Sequence, residues 1–265
     1  MQTSKTITGT AAGVPFVALA PQKVGPAPLI VTWHLMEAPC SEAAMAAAIP
    51  MAGVPAWRVH FGLPMSGKRL PDGSFDEFFR LASEDFVLNV AAPVTDHAAA
   101  EFPEAVADLR SQLSIADGPV GAVGGSAGGA VALEVLARGE VEISAAALIN
   151  PVTQLAPVIA RNERAYDVSY QWTERSRAVA ERFDFVRRAD EIKAEVLFVC
   201  GGDDDIAFRE PAALLQKLLG DRAELVTIPG MGHTIADAPG IEAAPQNDDA
   251  LKTDAVLTVW FQKRL

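Results

Sequence analysis

Apolar residues recur along this chain in two rhythms, short continuous or alternating runs and longer stretches with helical spacing. Lys5–Thr8 and Val14–Leu19 are extended runs around a glycine-containing turn, and they predict an opening hairpin over Thr6–Leu19. Pro26–Pro28 introduce Leu29-Ile30-Val31-Thr32-Trp33, an apolar strand of the kind buried on both faces. Ser41 suits an N-cap, with Glu42 in the first turn of an Ala-rich helix. Val54–Phe61 predicts the next strand, Gly62–Ser74 a Gly/Pro-rich excursion, and Phe75–Leu81 a short helix. Pro103–Leu113 has a helical pattern, with Pro103 tolerated near its first turn. There follow a strand from Val120, a helix over Ala130–Ala137, and a strand over Ala145–Asn150 that stops at Pro151. Glu195–Cys200 and Ala223–Ile228 predict strands around a helix at Pro211–Leu219. Asp248–Gln262 closes the chain as a helix with acids at its start and Lys263-Arg264 beyond its end, which suits the helix dipole.

Strands and helices alternate almost throughout, so the expected fold is α/β, a doubly wound and mostly parallel sheet. One segment breaks the rhythm. Leu155–Ile192 lies between two strands and predicts helices without a strand of its own. It holds both tyrosines, Tyr166 and Tyr170, next to Trp172, among dense mixed charges such as Arg161, Arg164, Glu174 and Glu181. A solvated helical pair with i,i+4 ion pairs would account for the charges. Insertions at strand C-termini surround the ligand crevice in such sheets, so the segment is expected to be a cap. The chain is therefore expected to be one domain over residues 1–265, with 155–192 as a helical cap insertion.

Composition narrows the class. With 265 residues, half of them apolar, the chain can bury a substantial core. The formal net charge of -12 argues against nucleic acid and anionic membrane surfaces as partners, and favours small or neutral ligands. No run reaches the ~18 apolar residues that span a membrane, and Met1–Gly13 lacks the apolar core of a signal peptide. Two cysteines, Cys40 and Cys200, make no disulfide framework and match no metal spacing. These features predict a cytoplasmic setting.

The candidate chemistry centres on Gly124-Gly125-Ser126-Ala127-Gly128, a G-x-S-x-G between a strand-like and a helix-like run. A sharp strand-to-helix turn would expose the serine hydroxyl at a helix N-terminus, and flanking side chains would collide there, hence the glycines. The stretch lacks the lysine of a phosphate-binding P-loop and the G-x-G of a dinucleotide fingerprint. A serine hydroxyl needs a base. Of the four histidines, His60 falls in a strand and His97 near a helix start, whereas His233 sits in the loop Pro229-Gly230-Met231-Gly232-His233 after the last strand. An orienting carboxylate belongs at a strand end, and Asp203, Asp204 and Asp205 all follow Val196–Cys200. That run could equally be an Asp-rich turn and helix cap.

The order Ser126, Asp, His233 with G-x-S-x-G resembles the α/β-hydrolase superfamily, from Leu29 through the closing helix. The resemblance implies Asp204 as the acid, through the pattern strand-G-x-x-D in Val199-Cys200-Gly201-Gly202-Asp203-Asp204, with Asp203 and Asp205 as second choices. It implies an oxyanion hole from the N–H of Ala127 and one from the loop after Trp33, where this chain has His34-Leu35-Met36 in place of His-Gly. Either Leu35 or Met36 could donate there, and His34 is then a loop-stabilising residue. The absence of His-Gly-Gly-Gly sets the chain apart from the hormone-sensitive-lipase branch, and Ser126 stands where dienelactone-hydrolase relatives have cysteine. The chain is most similar to small bacterial-type serine esterases related to prolyl-oligopeptidase-like hydrolases, without the propeller.

What this implies is ester hydrolysis through an acyl-enzyme, with no cofactor and a small-molecule acyl substrate. Leu63, Met65, Tyr166, Tyr170 and Trp172, with Leu35 and Met36, are expected to form an apolar pocket. A thioesterase or lactonase would use the same residues, and a non-catalytic ligand-binding protein could retain the fold.

Overall fold

The computed structural model describes residues 5–265. Met1–Ser4, the head of the segment read as lacking a signal-peptide core, lie outside the described residues. The opening hairpin forms as expected, β1 (Thr6–Ala11) antiparallel to β2 (Val14–Leu19). Leu29–Trp33 is β3, every residue buried, and Trp57–Phe61 is β4, three residues shorter at its start than the apolar run suggested. Between them lies α1 (Glu42–Ala48), capped by Ser41, whose hydroxyl accepts from the Ala44 N–H at 3.0 Å.

The helical stretch before the next strand is much longer than the pattern predicted. α2 (Phe75–Phe86) is broken at Asp85, where φ is -163° and ψ 97°, and Asp85 Oδ1 then caps the following turn through Leu88 N–H. A π-turn over Val87–Ala91 leads into α3 (Ala92–Gln112), so Pro103 and His97 lie in the helix interior and not near its start. The apolar positions Val90, Val94, Ala98 and Phe102, all buried, explain why the helix begins so early.

β5 (Val120–Gly125) turns at Ser126 directly into α4 (Ala127–Arg138), and β6 (Ile143–Ile149) follows. The segment after β6 is helical, as expected, with α5 (Leu155–Tyr166) and α6 (Glu174–Arg182). β7 (Glu195–Gly201), α7 (Ile206–Leu219), β8 (Ala223–Ile228) and α8 (Asp248–Phe261) complete the chain. α7 starts at its Asp205 cap, five residues before the predicted start, and includes Pro211 in its interior.

The eight strands form one sheet in the order β1-β2-β4-β3-β5-β6-β7-β8, antiparallel at β1–β2 and β2–β4 and parallel from β4 onward. Alternate residues of the central strands β3, β5, β6 and β7 feed two cores. Leu29, Val31 and Trp33 join α3, α4 and α7 on one face, while Ile30 joins α1 and α8 on the other. The parallel strands end their C-termini along one edge, and the loops after β3, β5, β6, β7 and β8 gather there. Among the described residues, no helix is long and apolar enough to cross a membrane.

Charged side chains tie the α5–α6 segment to the body of the fold. Arg182 makes a two-toothed pair with Asp96 of α3 (2.6 and 2.7 Å), and Arg188 reaches buried Glu134 of α4 at 2.8 Å. Within the segment the ion pairs are spaced i,i+3, Arg187 with Asp184 and Arg188 with Glu191, and the expected i,i+4 pairs do not form among the described residues.

Candidate active site

Ser126 takes φ 48° and ψ -114°, a backbone conformation that costs energy for any residue with a Cβ. Tight packing holds it there. A Cβ on Gly124 would lie 2.2 Å from the carbonyl oxygen of Gly128, and one on Gly128 would lie 2.5 Å from the carbonyl oxygens of Trp33 and His34. The turn thus rests directly on the end of β3. Ser126 N–H donates to Ile149 O, and Ser126 O accepts from Val152, so β6 grips the turn from its other side.

His233 is held over this turn by the loop after β8. Its Nε2 lies 2.8 Å from Ser126 Oγ, and its Nδ1 lies 2.9 and 3.1 Å from the two carboxylate oxygens of Asp204. The three side chains form one hydrogen-bonded row. The Asp204 side chain is 1% exposed and that of His233 11%, so little water competes for these bonds. The carboxylate fixes Nδ1 as the protonated nitrogen, leaving Nε2 free to accept the serine proton.

The three adjacent aspartates have separate tasks in the structure. Asp205 caps α7, its Oδ1 accepting from Ala207 N–H at 2.8 Å. Asp203 is exposed, its N–H donating to Met231 O. Asp204 alone among them faces His233, and its Oδ1 is further held by Asp205 N–H at 2.7 Å.

Ala127 opens α4, where the first N–H groups have no acceptor within the helix. In the facing loop, Leu35 N–H donates to Pro39 O at 3.2 Å, whereas Met36 N–H has no acceptor among the described residues. The Leu35 side chain is fully buried against the strand end at Gly125. His34 is also buried. Its Nδ1 meets Leu35 O at 2.5 Å, and its Nε2 accepts from Leu63 N–H at 3.0 Å, which ties the loop after β3 to the loop after β4. These bonds require the neutral ring with its proton on Nδ1, and burial holds the pKa down to about 4.

The remaining expected pocket residues are dispersed. Leu63 is fully buried in the core, and Met65 is partly buried. Tyr170 and Trp172 meet edge to face at 4.8 Å, and the Tyr170 hydroxyl donates to Asp85 at 2.5 Å. Trp172 also lines a cleft of about 310 Å³ with Ala156, Ala160 and Arg177, a cleft whose lining does not include Ser126. Tyr166 ends α5 with two thirds of its surface exposed and takes no part in that aromatic pair.

Two contributors lie outside the residues that the sequence singled out. Phe208 of α7, nearly buried, lies with its ring centroid 4.0 Å from that of His233 and backs the imidazole. Asn150, just past β6, donates to the main chain of the histidine loop. An aromatic three residues into a helix after an Asp cap could have suggested the first, and nothing local marks the second.

The loops after β3 and β8 also hold one another. Ile235 N–H donates to Ala38 O, Cys40 N–H to Gly240 O, and the Ser41 hydroxyl to Ile241 O. Met36 and His233 are therefore carried by one joined structure.

Residues 82–262 match the profile of the prolyl oligopeptidase family. No curated protein matches the chain in sequence. Among solved structures the chain is similar to TT1662 from Thermus thermophilus, at 18% identity and a TM-score of 0.65 over 98% of both chains. It is similar to the Pyrococcus horikoshii acylaminoacyl peptidase at 14% identity and a TM-score of 0.66, with all of this chain covering 42% of that one. Carboxyl esterase 2 from the mycorrhizal fungus Tuber melanosporum matches at 17% identity and a TM-score of 0.61, over 98% of this chain and 87% of that one. A strained serine at a strand-to-helix turn, the strand order of the sheet and the family match agree: the chain belongs to the prolyl oligopeptidase family and is a serine hydrolase of the α/β-hydrolase fold.

Proposed function

We propose that the chain hydrolyses small carboxylic esters through an acyl-enzyme, with Ser126 as nucleophile, His233 as general base and acid, and Asp204 as the orienting carboxylate. The observation that carries this reading is the unbroken hydrogen-bonded row from Ser126 Oγ through both nitrogens of His233 to Asp204. Ser126 Oγ attacks the carbonyl carbon while its proton passes to Nε2. The N–H groups of Ala127 and Met36 stabilise the oxyanion, a contribution of about 3 kcal/mol for each such donor in comparable sites. The tetrahedral intermediate expels the alcohol, which takes the proton from His233. Water then attacks the acyl group with the same imidazole as base, and the acid and free Ser126 are released. In this reading α5 and α6 act as a cap, and the acyl or alcohol group lies beside the loops after β3 and β4.

The likeness to a carboxyl esterase supports the ester assignment. The likeness to the acylaminoacyl peptidase favours a second reading, cleavage of an acylated amino acid amide by the same residues.

One experiment separates the two. Wild type and Ser126→Ala are assayed against p-nitrophenyl esters of increasing acyl length, thioesters, lactones and an N-acyl amino acid p-nitroanilide. Ester turnover abolished by the substitution is the expected result. Preference for the anilide would move the assignment to a peptidase, and turnover surviving in Ser126→Ala would remove Ser126 from the reaction.

A further inference from the structure

Asn150 is 1% exposed, with φ 43°, in the left-handed region that asparagine tolerates better than most residues. Its backbone N–H donates to Val199 O at 3.0 Å, carrying the β6–β7 ladder one residue beyond Ile149. Its carboxamide makes three more bonds. Nδ2 donates to Gly232 O at 3.0 Å and to His233 O at 2.9 Å, and Oδ1 accepts from Gly201 N–H at 2.7 Å. The orientation of the amide follows from its partners, because a flipped group would set its oxygen against two carbonyls. Both donors and one acceptor are thus directed at the two segments that carry the other members of the row, the His233 loop and the end of the strand leading to Asp204.

The histidine loop needs such support from outside. It runs through Pro229-Gly230-Met231-Gly232, with Gly230 at φ 78°, so its own sequence restricts it little. The bond to His233 O fixes the main chain of the residue whose ring must stay within 3 Å of both Ser126 and Asp204. A displacement of about 1 Å in such a constellation can cost about 100-fold in rate.

We propose that Asn150 is a positioning residue that sets the distance between His233 and its two partners by joining the histidine loop to the acid-bearing strand. The proposal rests on the Ser126–His233–Asp204 reading. Asn150 touches no reacting atom in this scheme; it acts through the main chain of His233.

The test is Asn150→Asp, nearly isosteric and among the residues that tolerate positive φ. It keeps the acceptor for Gly201 N–H, loses both donors and sets a carboxylate oxygen against the carbonyls of Gly232 and His233. Asn150→Gly, which also suits the backbone, removes all three side-chain bonds and is the second variant. Functional sites are counted by fluorophosphonate labelling taken to completion, so that kcat refers to folded enzyme. The expected result is a kcat roughly 10-fold to 100-fold below wild type with KM within about twofold. The downfield proton resonance of His233 Nδ1–H against Asp204 should move or broaden in both variants while far-UV circular dichroism is unchanged. A purely structural turn residue would lower the number of functional sites and leave kcat per site and that resonance as in wild type, and this outcome overturns the proposal. Ser126→Ala is run alongside. If it retains turnover, the underlying reading fails; if it is inert while the Asn150 variants are normal, only the role of Asn150 fails.

Discussion

His34 and His60 enter the folded chain as neutral rings. Burial lowers His34 to about 4, and burial together with the nearby Arg58 guanidinium lowers His60 to about 3. Unfolded, both would titrate near 6.5. The unfolded chain therefore binds protons more readily, so these sites cost nothing above about pH 6.5 and withdraw stability as pH falls toward 4; at pH 5 each withdraws about 2 kcal/mol. Melts followed by circular dichroism should show the midpoint falling steeply across that window, with a shallower fall in His60→Gln. An unchanged slope in that variant would mean that His60 is not held neutral. Ser126 could be picked out of the chain because its strained turn demands small residues at fixed neighbouring positions, a local requirement that a sequence records. Asp204 needed the family pattern to be chosen from three adjacent acids, and its burial beside His233 explains why it differs from Asp203 and Asp205. Asn150 was illegible, because its partners lie on β7 and in the loop after β8, and only the assembled sheet brings them within reach.

Strands were legible to within about three residues at their ends, since buried strands read as continuous apolar runs. Helix starts were less so, and α3 and α7 departed from expectation for the same reason. Pro103, expected near a first turn, and Pro211, the first residue of the expected helix, both lie well inside their helices. Burial of an apolar stripe outweighed the single backbone hydrogen bond each proline removes. The ion pairs that tie the α5–α6 segment to the sheet-covering helices were also hidden, because they join elements far apart in the chain. Glu134 of α4 accepts from Arg138 at 3.0 Å and from Arg188 at 2.8 Å, with its own side chain 6% exposed. Glu134→Gln keeps the shape and removes the charge both guanidiniums share. It should cost on the order of 2 kcal/mol, below the full cost of breaking a wholly buried pair because both arginines retain some water. Denaturant melts would measure this, and a loss under about 0.5 kcal/mol would reduce the network to a surface feature.

At the scale of the whole molecule, alternating strands and helices made the sheet predictable, and the common C-terminal edge of its parallel strands explains why distant residues meet there. The net charge of -12 also acts at this scale. For two p-nitrophenyl esters of equal length, one neutral and one ending in a carboxylate, kcat/KM should favour the neutral ester at low ionic strength. The gap should narrow toward 1 M salt, where the screening length is about 3 Å. A ratio that does not respond to salt would make the discrimination a matter of pocket contacts alone. The mutual support of the loops after β3 and β8 bears on how the molecule is made. Cys40 and Gly240, which bond across that junction, stand 200 residues apart in the chain. During synthesis, the junction closes only after the polypeptide has emerged past residue 241. Until then the loop bearing Met36 waits without its partner, and the histidine loop is held only from the β6 and β7 side. A ribosome-bound chain that has already folded the turn around Ser126 therefore carries a serine whose histidine partner can be seated only after the last strand and the loop beyond it have emerged.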